Sequence, residues 1–423
     1  MKSIKQRLPG KINSLFKALA DIADKQGIEV YAVGGFVRDL ILDANSEDID
    51  IVVSNSGDKF ANDIAQSLNE KLEKRSQFNT YAIHLRQGIH LDIATARKES
   101  YSSPAALPDV SPGDLRSDLQ RRDFTINSLA FGLNTGSPYT LIDPFNGYED
   151  LRNGTIRAHH KNSFIDDPCR IFRALRFKTR FNYRLETDTE LWLKKSIEDK
   201  IPGLLSGHRI WNEIQRTLKE ERLLENLLAL GHYSLLNLIS PHINKKPLNQ
   251  EFLKNIPVQL NWLQENEKER QFDKWVVRCL ALLLPLERTE IESLAGRFQW
   301  NHSLKEKIVS GCNSINTALP LLKNKIEKSR CEIYELFDPL EPEALAAALA
   351  QANDSIANQS AELYLKDIRQ AGRIELNGDD LIRLGLKPGP VFNKIFSTLR
   401  NARLNGHALN KEDEESIVKK EFL

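Results

Sequence analysis

The sequence predicts an α+β protein, a small α/β head followed by a long helical body. Strand-like apolar runs are confined to the first third of the 423 residues, and they essentially stop after Asp143-Pro144. From about residue 167 onward, leucine-rich faces recur at helical spacing. A chain of this length is expected to form more than one domain, each with a substantial core. A hydrophobic content of 41% with 28% charged residues is that of an ordinary globular protein. The net charge of +1 excludes a uniformly basic coat for nucleic acid, although a local basic surface stays open.

Taken in order, residues 11–26 read as a helix, with Ile12, Leu15, Leu19 and Ile22 at helical spacing. Strand-like runs follow at 28–34, 48–53, 80–86 and 89–94, with a helical stretch at 60–74 between the second and third. The runs Tyr81–Arg86 and Ile89–Ala94 flank Gln87-Gly88, a hairpin signal. From 97 to 119 the chain has no period and carries Pro104, Pro108, Pro112 and Gly113. A loop of that length inside a domain is usually a lid or a binding loop. Helices fill the remainder, with breaks expected at Pro202-Gly203, Pro241, Pro257 and Pro320. Cys169, Cys279, Cys312 and Cys331 lack paired spacing, so they suggest neither a disulfide framework nor a zinc site. The N-terminus is amphipathic without an apolar signal core, and no apolar run reaches membrane-spanning length. A soluble protein of the reducing cytosol is expected.

The first chemical block is Tyr31-Ala-Val-Gly-Gly-Phe-Val-Arg-Asp-Leu40 followed by Ser46-Glu-Asp-Ile-Asp-Ile-Val-Val53. It reads as a strand, a Gly34-Gly35 turn, a helix opening, and a second strand carrying Asp48 and Asp50. Residues two apart on a strand share a face, so the two carboxylates stand together. Such a pair repels itself, and a divalent cation such as Mg²⁺ is the usual compensation. Glycines that admit phosphate beside such a pair make a nucleoside triphosphate the natural guest. Arg38 either pairs with Asp39 or neutralises phosphate oxygens. Asp92 is either a third carboxylate or an edge-strand acid.

The second block, Leu119-Gln-Arg-Arg-Asp-Phe-Thr-Ile-Asn-Ser-Leu-Ala130, sets Arg121 and Arg122 beside Asp123. The run Phe124–Phe131 is apolar on one helical face, which puts the charged cluster where a helix enters a core. Arginine forks suit a triphosphate, with Asp123 and Asn127 available to ribose hydroxyls. The third block is Phe164-Ile-Asp-Asp-Pro-Cys-Arg-Ile-Phe-Arg-Ala-Leu-Arg-Phe177. Pro168 fits a first helical position with Asp167 as its cap. Arg170, Arg173 and Arg176 drift about 60° per step and form one basic face. Asp167 and Arg170 suggest a base reader: cytosine and adenine each present an amino donor beside a ring-nitrogen acceptor, which an acid and an arginine match. Uracil and guanine would leave both groups unmatched at a closed site.

Together these blocks resemble the class II tRNA nucleotidyltransferase and bacterial poly(A) polymerase superfamily, over roughly Tyr31 to Glu190. The segments GGFVRD…EDIDIVV, RRDFTIN and DDPCRIFRALRF each match a family motif, and the 97–119 segment looks like the family's flexible loop. Beyond Glu190 the likeness is looser, although Gly378–Pro390 is similar to the tail of bacterial CCA-adding and A-adding members. The resemblance implies a nucleotidyltransferase-type head over 1–150, a neck with the base-reading helix over 151–225, a helical body over 226–350 and a tRNA-binding tail over 351–423. It implies that Gly34, Gly35 and Arg38 bind the triphosphate and that Asp48 and Asp50 hold the catalytic Mg²⁺. Arg122 would contact nucleotide, with Asp123 favouring ribose over deoxyribose. Asp167 and Arg170 would read the base, supported by Arg173 and Arg176. The implied partners are CTP, ATP and the acceptor arm and 3′ end of tRNA, with no membrane and a cytoplasmic setting. The implied activity is template-independent, Mg²⁺-dependent addition of CMP and AMP to tRNA. The alternatives are CC-only or A-only addition, poly(A) synthesis, or a non-catalytic RNA-binding homologue. Two departures stand out. Asp166 replaces the family's usual Glu before Asp167, and Ser128-Leu129 replaces its frequent Ala-Met, which reads as ordinary repacking.

Overall fold

The computed structural model describes residues 4–44, 46–76, 80–86, 88–136, 138–243, 248–324 and 328–423. Gln87 of the expected hairpin lies outside these. The chain divides into two compact units, Met1–Arg209 and Ile210–Leu423.

In the first unit, α1 (Ile4–Arg7) and α2 (Gly10–Gln26) precede β1 (Val30–Val33) and α3 (Gly35–Ile41). β2 (Asp48–Val53) and α4 (Gly57–Leu68) lead to β3 (Leu72–Ser76), β4 (Thr80–His84) and β5 (His90–Thr95). The expected helix over 60–74 therefore stops early. Asn69 takes a left-handed conformation (φ 51°) and caps α4, a role that asparagine tolerates. The chain then pairs as β3, with Leu72 opposite Ile83. A seven-stranded sheet results, in the order β3-β4-β5-β2-β1-β8-β9, where β8 is Ala130–Gly132 and β9 is Leu141–Ile142. Of the pairings in this sheet, only β2 with β5 is parallel.

Alternation along β2 decides where the chemistry stands. Ile49, Ile51 and Val53 point into the core, and Asp48 and Asp50 point the other way. Val52 shares the acid face and packs with Val33, Ala96, Leu119 and Ala130. Leu119 belongs to α5 (Leu115–Gln120), so burying it lays α5 along the sheet with its C-terminal end toward the acids.

Two stretches differ from expectation between β5 and β8. The aperiodic 97–119 segment contains an antiparallel ladder of β6 (Arg97–Ser100) and β7 (Asp109–Pro112), followed by α5. The apolar run Phe124–Phe131 is not a helix: Phe124 bridges to Ala158, Thr125–Asn127 make one 3₁₀ turn, and Ala130 begins β8. Its apolar residues are buried on every side, so helical spacing there carried no information about which face points inward.

α6 (Gly147–Arg152), β10 (Thr155–Ile156) and α7 (Ser163–Asp166) connect to α8 (Cys169–Phe181). β11 (Arg184–Leu185) pairs with β10, and α9 (Thr187–Glu198) follows. α10 (Gly207–Leu218) crosses the boundary between the units.

The second unit is helical. It runs through α11 (Leu223–His232), α12 (Gln250–Asn266), α13 (Lys274–Leu283), α14 (Arg288–Arg297), α15 (His302–Leu322) and α16 (Arg330–Phe337). The alanine-rich α17 (Pro342–Ala352) is buried from Pro342 to Ala350 and is packed by α12, α13 and α15. Small side chains let those helices approach closely. Pro257 and Pro320 sit inside α12 and α15 and do not break them. α18 (Ser355–Leu363), α19 (Arg369–Ala371), α20 (Gly378–Arg383), α21 (Val391–Leu404) and α22 (Lys411–Phe422) complete the chain, the last three sharing a core of Leu381, Ile395, Leu399 and Val418. No helix among the described residues is long and apolar enough to cross a membrane.

Candidate active site

The acid pair stands as its spacing requires, with Asp48 exposed and Asp50 half-buried. Asp50 is in register with Val33 across β1 and with Asp92 across the parallel β5. Burial pushes the Asp50 carboxyl up, Arg122 opposes the shift, and Asp92, Asp48 and Asp118 add to it. Acids gathered so closely are the donor set that a hard divalent cation relieves. Among the described residues, no group of three or more His, Cys, Asp or Glu side chains encloses an ion by itself. Mg²⁺ commonly takes one or two carboxylates and draws its other ligands from water and phosphate.

The glycine turn is held open by its surroundings. Gly34 adopts φ +75°, and a Cβ there would collide with Arg122 Nη1 and come within 3.2 Å of Asp50 Oδ2. The Gly34 amide donates to the Leu129 carbonyl at 3.0 Å, so the amides left for a ligand begin with Gly35, in the first turn of α3.

Arg122 is aimed by Asp118, a residue with no signal in the sequence. Asp118 is fully buried. Its Oδ2 accepts from Arg122 Nη2 at 3.1 Å, and its Oδ1 accepts from Arg121 at 2.7 and 3.0 Å. Burial alone would raise its carboxyl, but Arg122 and Arg121 hold it below the usual carboxylate range. Arg121 also donates to Glu99 Oε1 on β6 at 3.0 Å, which ties the β6–β7 ladder to α5.

A second network runs inward. Arg38 is 5% exposed, donates to Asn127 Oδ1 at 2.5 Å and to both Asp39 oxygens, and lies 5.3 and 4.9 Å over the Phe177 and Phe181 rings. Asn127 Nδ2 donates to Asp123 Oδ1, which also takes the Phe124 amide. Asp123 Oδ2 takes Arg173. Against its burial, Arg173 and the Asn127 hydrogen bond bring the Asp123 carboxyl down to about 2. Arg38, Asp123 and Asn127, expected to face phosphate and ribose, are thus joined to one another.

At the expected base reader, α8 starts at Cys169 and Pro168 takes the cap position. Asp167 Oδ1 accepts the Cys169 amide at 3.0 Å. The basic face of α8 is not a solvated one. Arg170 and Arg176 are 5% and 4% exposed, and Arg170 donates to Ser163 Oγ and to the Arg121 carbonyl, both at 2.8 Å. Buried arginines of this kind are rare. Asp167 pairs instead with Arg209 at 2.7 Å. Asp166 closes α7, with a carboxylate oxygen 3.9 Å from His160 Nε2.

Ser128 does more than repack. It is fully buried, its hydroxyl lies 2.8 Å from the Leu119 carbonyl, and His159 Nε2 lies 2.7 Å away. A hydroxyl has one proton, so the compatible assignment has His159 Nε2–H donating to Ser128 Oγ and Ser128 donating onward. Burial lowers His159 to about 4, which keeps the ring neutral. Glu99, Asp118, His159 and Arg209 escaped the sequence reading because only tertiary approach gives them a role.

A family model described as the poly A polymerase head domain matches residues 30–157. An A-adding tRNA nucleotidyltransferase of Halalkalibacterium halodurans is 30% identical over 96% of this chain and 92% of its own length. That of Geobacter sulfurreducens is 32% identical over 98% of this chain, which spans only 47% of that longer relative. A CCA-adding enzyme of Leuconostoc mesenteroides is 28% identical over 94% of this chain and 93% of its own length. Among solved structures, a CCA-adding enzyme in an apo form has a TM-score of 0.82 at 30% identity, covering 99% of this chain and 97% of that one. The Thermotoga maritima CCA-adding enzyme complexed with tRNA has a TM-score of 0.74 at 30% identity, with the same coverage.

Proposed function

The chain belongs to the tRNA nucleotidyltransferase family, and we propose that it adds CMP and AMP, drawn from CTP and ATP, to the 3′ end of tRNA without a nucleic-acid template. The carrying observation is the acid pair Asp48 and Asp50 beside a glycine turn that leaves room for Arg122 and for no side chain of its own. In this reading Asp48 and Asp50 would hold Mg²⁺, which when bound would supply positive charge to offset that of the triphosphate. Gly34 and Gly35 give the triphosphate close approach to backbone, and Arg122 answers its charge. Arg38 braces the turn from within, and Asp123 and Asn127 set the ribose side. Asp167 offers an acceptor to the amino group of cytosine or adenine, with Arg170 opposite the ring nitrogen and Arg173 and Arg176 behind. The helical remainder, as neck, body and tail, holds the acceptor arm of tRNA, in a cytoplasmic setting.

A second reading, addition of the terminal A alone, is favoured by the A-adding names of the Halalkalibacterium and Geobacter relatives. The two part in one incorporation assay with tRNA ending at the discriminator base and tRNA ending in CC. The full reading expects CMP on the first and AMP on the second. AMP on the second with no CMP on the first makes this an A-adding enzyme. Absence of both, with tRNA still bound, leaves a non-catalytic RNA-binding homologue.

A further inference from the structure

His84 on β4 and His90 on β5 stand directly opposite each other, and His90 is in turn in register with Asp48 on the parallel β2. Residues paired across a ladder project from the same face, so Asp48, His90 and His84 form one row across three strands. Asp50 and Asp92 share that face, two residues further along. All three side chains of the row are exposed. The two imidazoles converge. Their Nδ1 atoms lie 2.6 Å apart, with ring centroids 4.8 Å apart and planes at 78°.

Glu73 on β3 places Oε2 3.4 Å from His84 Nε2. A carboxylate there favours the proton on Nε2 and leaves a lone pair on His84 Nδ1, to which His90 Nδ1–H donates. An acid behind one ring nitrogen and a lone pair on the other is how metal-ligating histidines are oriented. Zinc–nitrogen bonds of about 2.0 Å in a tetrahedron set two ligand nitrogens roughly 3.3 Å apart, so the exposed rings need to part by only about 0.7 Å. His90 then carries its proton on Nε2, exchanged through water. Imidazole suits Zn²⁺, Ni²⁺ and Cu²⁺, whereas Mg²⁺ takes oxygen ligands, so this pair differs in kind from the carboxylates beside it.

We propose that His84 and His90 bind a transition-metal ion of the Zn²⁺ class, with Glu73 as a positioning residue behind His84, and that the bound ion takes Asp48 as a third ligand. Adjacent strands lie ~4.8 Å apart, so Asp48 reaches an ion held over His90 by a change of rotamer. Water completes the tetrahedron. An Asp48 carboxylate committed to Zn²⁺ is withdrawn from Mg²⁺, so occupancy of the histidine pair switches nucleotide addition off. The effect on addition, unlike the metal site itself, rests on the reading of Asp48 as a Mg²⁺ ligand.

The test titrates the full chain with Zn²⁺ by calorimetry, without nucleotide or tRNA, alongside His84→Asn, His90→Asn, Glu73→Gln and Asp48→Asn, each first shown to melt cooperatively. His84→Asn and His90→Asn should each weaken Zn²⁺ binding by at least about tenfold, and Glu73→Gln and Asp48→Asn by about tenfold. Cu²⁺ in place of Zn²⁺ should show hyperfine splitting from two nitrogens in the parent and from one in either histidine variant. In the incorporation assay at fixed Mg²⁺, both histidine variants should match the parent without Zn²⁺ and need at least about tenfold more Zn²⁺ for half-inhibition. An unchanged Zn²⁺ isotherm in the histidine variants would overturn the site. Weakened binding with unchanged inhibition would overturn the switch, because Zn²⁺ then acts elsewhere. Undiminished Zn²⁺ affinity in Asp48→Asn would overturn the third ligand. Near-parental incorporation by Asp48→Asn would remove the Mg²⁺ assignment alone, a failure that leaves the histidine isotherms as expected.

Discussion

Arg173 lies against Asp123 twice, with Nε and Nη2 each 2.6 Å from Oδ2. Asp123 is 8% exposed and Arg173 33%, so the carboxylate is buried while its partner reaches the surface. Removing the arginine takes one charge-assisted partner from Asp123 and leaves it the Asn127 and Phe124 donors. Arg173→Ala should therefore destabilise the protein by about 1.5–3 kcal/mol in chemical denaturation. The pH dependence has a fixed sign. With a folded pKa of about 2 against an ordinary carboxyl near 4, Asp123 contributes stability that is complete above pH ~4 and lost as pH falls toward 2. Its full contribution is about 2 kcal/mol, and Arg173→Ala should flatten the stability curve across that window. An unchanged slope there would mean that other acids dominate acid unfolding.

His159 gives the complementary window. Burial lowers it to about 4, against about 6.5 for a free imidazole, so the unfolded chain binds the proton first. Stability should then fall as pH drops from ~6.5 to ~4, by up to about 3 kcal/mol. His159→Gln, which keeps a donor for Ser128, should shrink the change in melting temperature between pH 6.5 and 4.5. If the parent and the variant lose stability in parallel across that interval, the burial of a neutral ring is not what they differ by.

Asp48→Asn and Asp50→Asn should each lower nucleotide incorporation by at least about a hundredfold, a loss expected when a metal ligand loses its charge. Neither should unfold the protein. Asp48 is exposed and Asp50 is crowded by other acids, so removing one charge there relieves repulsion. Thermal melting alongside the incorporation assay separates the two effects, and near-parental incorporation by a folded Asp48→Asn would remove the metal assignment.

The signals that period and spacing carry are local, and they proved readable where a side chain's role is set by its own element. Asp48 and Asp50 share a face because strands alternate, and Gly34 is glycine because its φ is positive. The same approach missed what depends on burial from another element. Arg38, Arg170 and Arg176 were read as facing a ligand, yet each is enclosed by partners distant in sequence or by packing that no motif encodes. Pro257 and Pro320 were read as breaks, but α12 and α15 continue through them while packed on α17. The four-residue α7 and the three-residue β8 are shorter than any periodic window can resolve.

Replacing residues 102–107 with a short Gly-Ser link would keep β6 and β7 and remove the hydrogen bond from Arg209 to the Ala105 carbonyl. If one base site takes first a pyrimidine and then a purine, as proposed, it must change shape between them, and the loop between β6 and β7 is the element placed to move. CTP incorporation should survive and ATP incorporation onto tRNA ending in CC should fall by tenfold or more, about 1.4 kcal/mol of barrier. Equal loss of both would make the loop a support for the fold.

Asp118 makes the last prediction, because it separates holding a charge in place from supplying one. Arg122 stands between two acids: Asp118, which it meets at 3.1 Å, and Asp50, whose carboxyl it draws down. With Asp118 ionised and buried, one end of the guanidinium is tied to Asp118, and Nη1 lies against the glycine turn. Asp118→Asn keeps the volume and the hydrogen-bonding shape but removes the charge. The guanidinium should then move onto Asp50, whose carboxyl it already draws down, and compete with any cation for it. Two measurements should shift together. Half-activation by Mg²⁺ should require at least about tenfold more metal, since a competing charge of one hydrogen-bonded ion pair is worth about 1.5–3 kcal/mol. Mn²⁺ binding followed by its own paramagnetic resonance, with no substrate present, should weaken by a similar factor. Arg122→Gln placed on top of Asp118→Asn should restore Mn²⁺ binding, because the competitor is gone, while leaving incorporation low. If Asp118→Asn lowers incorporation with Mn²⁺ binding intact, Asp118 serves only the packing of α5. If the double variant fails to regain Mn²⁺, Arg122 is not the group that Asp118 restrains.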